Sequence, residues 1–216
     1  MSKRSLVALP LAVAILACAA EAPRDPLEIE PRPVWLSRDL EPLRQQFNAT
    51  ADRPRALALL APGCTVCLQG ALALRRHLEA EGRDVQRSVL LVWVEAFPID
   101  AKGRPGKRVE LFAGDPRITH YYDDRQLAAH AVAQALGWPP GTVAFDAYLF
   151  FSSGRVWENS LPPPEVWFHQ RRGLSAVNYR TGAALDAAIG EAFAAGDKPV
   201  PDSETRSMSG TALSSN

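Results

Sequence analysis

The sequence predicts an α/β domain: a small mixed sheet with helices on both faces. Two compact apolar runs, Arg55–Leu60 and Val89–Val94, bracket a segment with helical periodicity. A strand–helix–strand order of this kind implies a parallel pair joined by a right-handed crossover. A hairpin pattern and an amphipathic helix then close the domain. The composition agrees, since 216 residues with 47% apolar and 22% charged suit one soluble domain with appendages. The 24 Lys and Arg match the 24 Asp and Glu, so there is no basic excess of the kind a nucleic-acid binder carries. Three cysteines are too few for a disulfide-dense scaffold or a four-cysteine zinc site.

The first segment reads as an address. Lys3 and Arg4 precede an apolar run, Leu6–Ala17, broken only by Pro10. At 1.5 Å per residue this run is too short to span a ~30 Å hydrocarbon core, so it is a signal-peptide core over residues 1–17. It ends in Ile15-Leu16-Ala17-Cys18, which resembles a bacterial lipobox and implies lipid modification of Cys18. The alternative is ordinary cleavage near Ala20 or Ala22. Residues 18–37 are proline-rich and form the expected tether. Ala19 after Cys18, where an Asp would signal inner-membrane retention in that family, favours the outer membrane. Export places any thiol pair where a disulfide can persist.

Along the body of the chain, Leu40, Leu43 and Phe47 share one face of a short helix over Asp39–Phe47. Arg55–Leu60 is a buried strand that stops at Pro62-Gly63. A helix follows to about Ala80, with Ala71, Leu74 and Leu78 inward. Val89–Val94 is apolar throughout, as expected of a strand covered on both faces. Residues 97–117 carry three glycines and three prolines and read as an insertion loop, with Lys102, Arg104, Lys107 and Arg108 making it basic. A helix is expected over Asp123–Leu136, with Leu127, Ala128, Ala131, Val132 and Ala135 on one face. The hairpin pairs Ala147–Phe151 with Arg155–Trp157 through Ser152-Ser-Gly154. Thr181–Ala195 is the last helix, inward on Leu185, Ala188, Ile189, Ala192 and Phe193. The domain therefore covers residues 38–196, and the polar 197–216 reads as a disordered tail.

Chemistry concentrates in Cys64-Thr-Val-Cys67, where a strand gives way to a helix. Backbone N–H groups and the helix dipole favour an anion there, which lowers the first thiol's pKa. The spacing lets the second thiol close a small disulfide ring. Dithiol redox chemistry, an inert structural pair and metal binding all remain open on this motif alone.

Leu57–Leu60, Cys64-Thr-Val-Cys67 and Tyr148-Leu-Phe-Phe-Ser-Ser-Gly154 together resemble the thioredoxin-like superfamily over about Asp39–Gly196. Asp115–Asp123 and Phe145-Asp-Ala-Tyr148 resemble a narrower group of bacterial thioredoxin-fold proteins. The resemblance implies a three-layer thioredoxin-like fold, with Cys64 as nucleophile and Cys67 as resolving thiol. It also implies protein thiols and disulfides of the envelope as partners, and no cofactor. Two departures stand out. Pro62-Gly63 replaces the aromatic residue usual before the first cysteine. Asp146 falls where the family has its cis-proline, which would put a carboxylate near the thiols and raise their pKa values.

The remaining candidates are weaker. Glu95, at the end of the second apolar strand, is a possible proton carrier for the dithiol. His120 is the one histidine to weigh as a distal metal ligand; thioredoxin-fold copper chaperones use such a histidine, but with a CxxxC spacing this chain lacks. His77 and His130 are expected on solvated helix faces, and His169 in a loop held by hydrogen bonds. The first reading is thus an envelope thiol–disulfide oxidoreductase. The alternative is a metal (copper) or protein-binding module on the same scaffold. No nucleotide-binding glycine loop or serine-hydrolase elbow is present.

Overall fold

A computed structural model describes residues 33–103, 106–112 and 114–196. The expected signal peptide, Cys18, most of the tether, Arg104 and the tail lie outside the described residues. In chain order the elements are β1 (Val34–Trp35), α1 (Glu41–Ala49), β2 (Arg55–Leu60), α2 (Thr65–Glu81) and β3 (Ser88–Val94). Two single-turn helices follow, α3 (Asp100–Gly103) and α4 (Gly106–Val109), then a 3-10 turn at Glu110–Phe112. The rest is β4 (Ile118–Asp123), α5 (Leu127–Ala135), β5 (Ala147–Phe151), β6 (Val166–His169) and α6 (Gly182–Gly196).

The six strands form one mixed sheet in the order β1-β4-β3-β2-β5-β6. β2, β3, β4 and β1 run parallel, whereas β5 and β6 are antiparallel to their neighbours. Alternation along the strands divides the core in two. Ala56, Ala58 and Leu60 of β2, with Leu91 and Trp93 of β3, face α2 and α6. Leu57 and Leu59, with Leu90 and Val92, face α1 and α5. This is a three-layer α/β architecture, a central mixed sheet with helices on both faces. No helix among the described residues is long and apolar enough to cross a membrane.

Several expectations are corrected. The partner of β5 is Val166–His169, pairing Phe150 with Val166 and Ala147 with His169, and Arg155–Trp157 is no strand. Trp157 instead exchanges two hydrogen bonds with the Asn48 side chain and sets its ring edge-on against Phe47. That burial holds it under α1 and away from the sheet edge. Residues 97–117 contain short helices where a loop was expected. Val34–Trp35 pairs with Tyr121–Tyr122, so the sheet takes in residues of the expected tether. The buried face of α5 is Ala128, Ala129, Val132 and Ala133, rotated from the expected stripe. His77 is half-buried, its Nε2 2.9 Å from the Asp186 carbonyl on α6. His130 is exposed, and His169 ties its loop through Ser175 O at 2.9 Å.

Candidate active site: the Cys64–Cys67 pair and Asp146

The parallel β2–β3 pair delivers the chain at Leu60 to the turn Ala61-Pro62-Gly63, where the Cys64 N–H donates to Ala61 O at 3.0 Å. Cys64 then caps α2 in extended geometry, and its Sγ accepts the Cys67 backbone N–H at 3.1 Å. Both cysteines are free thiols. They are unequal: Cys64 is half-buried, and Cys67 is only 2% exposed. The Cys64 thiol is pulled down to about 7, chiefly by the hydrogen bond from the Cys67 thiol. Burial opposes that shift, and the Asp146 charge opposes it too. Burial drives the Cys67 thiol far up, and its bond to Cys64 and the Asp146 charge push the same way. The pair thus holds a ready thiolate outside and a protonated thiol inside.

Asp146 lies where the late-strand motif put it, at the threshold of β5. A ligand oxygen of Asp146 and the two sulfurs all lie within 4.8 Å of one another. There is no cis peptide among the described residues, and Asp146 takes φ +54°. It is 2% exposed. Its Oδ1 accepts from Tyr148 Oη at 2.9 Å and from Gln170 Nε2 at 3.0 Å, and its carbonyl accepts the Gln170 N–H. Burial raises the Asp146 pKa, against the lowering effect of these bonds and of the Arg171 charge. Arg171 itself lies 4.0 Å above the Phe145 ring and donates to Val143 O.

Of the weaker candidates, neither Glu95 nor His120 joins this cluster. The Glu95 carboxylate accepts the Tyr122 hydroxyl at 3.0 Å, while its carbonyl accepts Gln126 Nε2. His120 is buried on β4, stacked on Trp93, and its Nδ1 accepts the Trp93 indole N–H at 3.2 Å. Desolvation alone pulls its pKa down to about 4.

Three residues that sequence reasoning missed build the site. Asp100 is 1% exposed, and its carboxylate takes three backbone N–H groups: Gly63 at 2.6 Å, Ala96 at 3.0 Å and Phe97 at 2.8 Å. It clamps the loop after β3 to the turn before Cys64. A Cβ on Gly63 would stand 2.7 Å from Ile99 Cγ2 and 2.8 Å from Asp100 Oδ1, so the position before Cys64 is suited to glycine. Tyr148 and Gln170 hold Asp146 and lie against α2. Asp100 accepts from backbone N–H groups three and four residues before it, a local signal for the clamp, and Tyr148 bonds Asp146 two residues away; only Gln170 has no local mark. Val66 and Ile99, on the segments flanking Cys64, and Phe97, packed on Phe145, are exposed apolar side chains, with the exposed Thr65 beside them. Arg108, from the basic insertion, lines the shallow cleft beside both thiols together with Trp93.

No family model matches the chain, and no curated protein matches it. Among solved structures it is similar to a secreted Mycobacterium tuberculosis disulfide oxidoreductase homologous to E. coli DsbE, at 12% identity and TM-score 0.39. That match covers 68% of this chain and 84% of the other. It is similar as well to a thiol:disulfide interchange protein of the thioredoxin family from Chlorobium tepidum, at 10% identity and TM-score 0.39, covering 67% and 83%. The fold rests on the strand order and the two helical layers above.

Proposed function

We propose that the protein is a thiol–disulfide oxidoreductase of the bacterial envelope, working through Cys64 and Cys67. The observation that carries this reading is the asymmetry of the pair: an accessible sulfur capping α2 in front of a buried one. The Cys64 thiolate attacks a substrate disulfide, forming one S–S bond while one substrate sulfur leaves as thiolate. Cys67 then gives up its proton and attacks Cys64 Sγ, releasing the second substrate thiolate. The substrate gains two electrons and the protein keeps a Cys64–Cys67 disulfide. Donation of that disulfide to a dithiol is the reverse sequence. The exposed apolar side chains of Val66, Phe97 and Ile99 favour a polypeptide substrate over a small hydrophilic thiol. The envelope setting and attachment through Cys18 rest on the N-terminal sequence pattern, with the outer membrane favoured.

Replacing Cys67 with Ala removes the resolving thiol and is expected to trap mixed disulfides in envelope extracts, visible on non-reducing gels. A Cys64→Ser, Cys67→Ala chain traps none. In glutathione buffers the pair is expected to titrate as one two-electron couple between about −270 and −120 mV. A couple below about −300 mV, together with no trapped partner, would show a structural staple and overturn the proposal.

A further inference from the structure

The geometry points to a second use of the reduced site: Cys64, Cys67 and Asp146 form a binding site for one zinc ion. Their ligand atoms converge from three directions in the chain. Cys64 Sγ comes from the cap of α2, Cys67 Sγ from its first turn and the carboxylate from the start of β5, all within 4.8 Å of one another. The carboxylate is held in place, since Tyr148 Oη and Gln170 Nε2 both occupy Oδ1 and the backbone is fixed at positive φ. Gln170 is 7% exposed, and its Oε1 has no hydrogen-bond partner among the described residues. That leaves a buried acceptor on the residue that grips Asp146, suited to a water on the ion.

The donor set selects the metal. Oxygen-seeking Mg²⁺ and Ca²⁺ have no use for two sulfurs, and copper(I) has little use for a carboxylate. Zinc takes thiolate and carboxylate together, and three protein ligands leave its fourth position to a water. Charge agrees. Two thiolates and a carboxylate carry three negative charges, which a divalent ion and the Arg171 guanidinium, coupled to all three groups, neutralise. A monovalent ion leaves a buried negative surplus. Binding displaces the Cys67 proton and requires the reduced pair, so the disulfide form is excluded. The site does not depend on the exchange chemistry proposed above.

The test is a titration of the full chain, reduced and kept anaerobic in mild detergent, with Zn²⁺ in competition with a chromophoric chelator. Co²⁺ serves as the spectroscopic probe. One ion per chain is expected, with thiolate-to-cobalt charge-transfer bands, and none after oxidation to the disulfide. Asp146→Asn retains the Oδ1 acceptor and tolerates positive φ, so it should fold; its zinc affinity should fall at least about 10-fold while both thiols remain titratable. X-ray absorption of the zinc-loaded natural chain should show two sulfurs at about 2.3 Å and lighter neighbours at about 2.0 Å. Equal affinity in Asp146→Asn, an ion without sulfur neighbours, or no binding by the reduced chain would each overturn the site.

Discussion

Asp146 sits at the position where the thioredoxin-like resemblance calls for a proline, yet its backbone conformation is one that proline cannot adopt. The ring locks φ near −65°, whereas Asp146 is at +54°. Asp and Asn tolerate that left-handed region better than most side chains. Asp146→Pro is therefore expected to destabilise the domain by about 2 kcal/mol or more, even though it supplies the proline that the resemblance calls for. Asp146→Asn should stay within about 1 kcal/mol, because its amide oxygen still accepts from Tyr148 and Gln170. Denaturant unfolding of both reduced variants measures the difference; a proline variant as stable as the parent contradicts the geometry described. At this scale Cys64, Cys67 and Asp146 were legible, because a short spacing and a strand motif locate them. Asp100, Tyr148 and Gln170 were missed, because what ties them to the site is distant in sequence: Asp100 to Gly63 over 37 residues, Gln170 to Asp146 over 24, and Tyr148 to Gly70 on α2.

The close seating of α2 on β5 depends on Gly70. A Cβ there would run into Tyr148 Oη and would also stand 3.2 Å from Gln170 Nε2. Gly70→Ala sets two effects against each other. Alanine gains about 1 kcal/mol of helix propensity, and overpacking costs about 1–3 kcal/mol. The obstacle is a fully buried ring held by its bond to Asp146, so the cost wins. The variant should unfold at lower denaturant than the parent and lose the Tyr148–Asp146 contact; a more stable variant would sink the argument. The element reading succeeded where one face of a helix or a wholly apolar strand carries the pattern, as in α2, α6, β2 and β3. It failed at β4, whose Thr119, His120, Tyr121 and Tyr122 look polar although β4 is paired on both sides. It failed again at the second hairpin strand. Gly154 offered the expected turn, but Trp157 finds more burial under α1, leaving Val166–His169 to pair beyond the Pro162–Pro164 run.

Across the whole molecule, β4 widens the sheet between β1 and β3 and carries His120 into the layer under α2. The ring meets Trp93 and Phe112, and its Nδ1 is already used as an acceptor, so the folded protein keeps it neutral. Its pKa is about 4 in the fold against 6.5 when free. Between those values the unfolded chain binds the extra proton, so stability falls as pH drops through that window. The full shift corresponds to about 3 kcal/mol, at about 1.4 kcal/mol per unit. Other groups act on the same curve, among them His169, lowered chiefly by burial, and Asp123, raised chiefly by burial. Asp115, paired with Arg117 at 2.6 Å, is held low, so its contribution is lost only as pH falls below the ordinary carboxylate range. Asp146 is raised, so it takes up a proton in the fold first and favours the folded state as pH falls toward that range. His120→Gln separates the terms, because the amide oxygen can still accept from Trp93 while the titration disappears. Unfolding free energies measured from pH 7 to 4.5, reduced and with chelator present, should show the parent losing most of that amount relative to the variant. A difference independent of pH would mean that His120 is not held neutral in the fold.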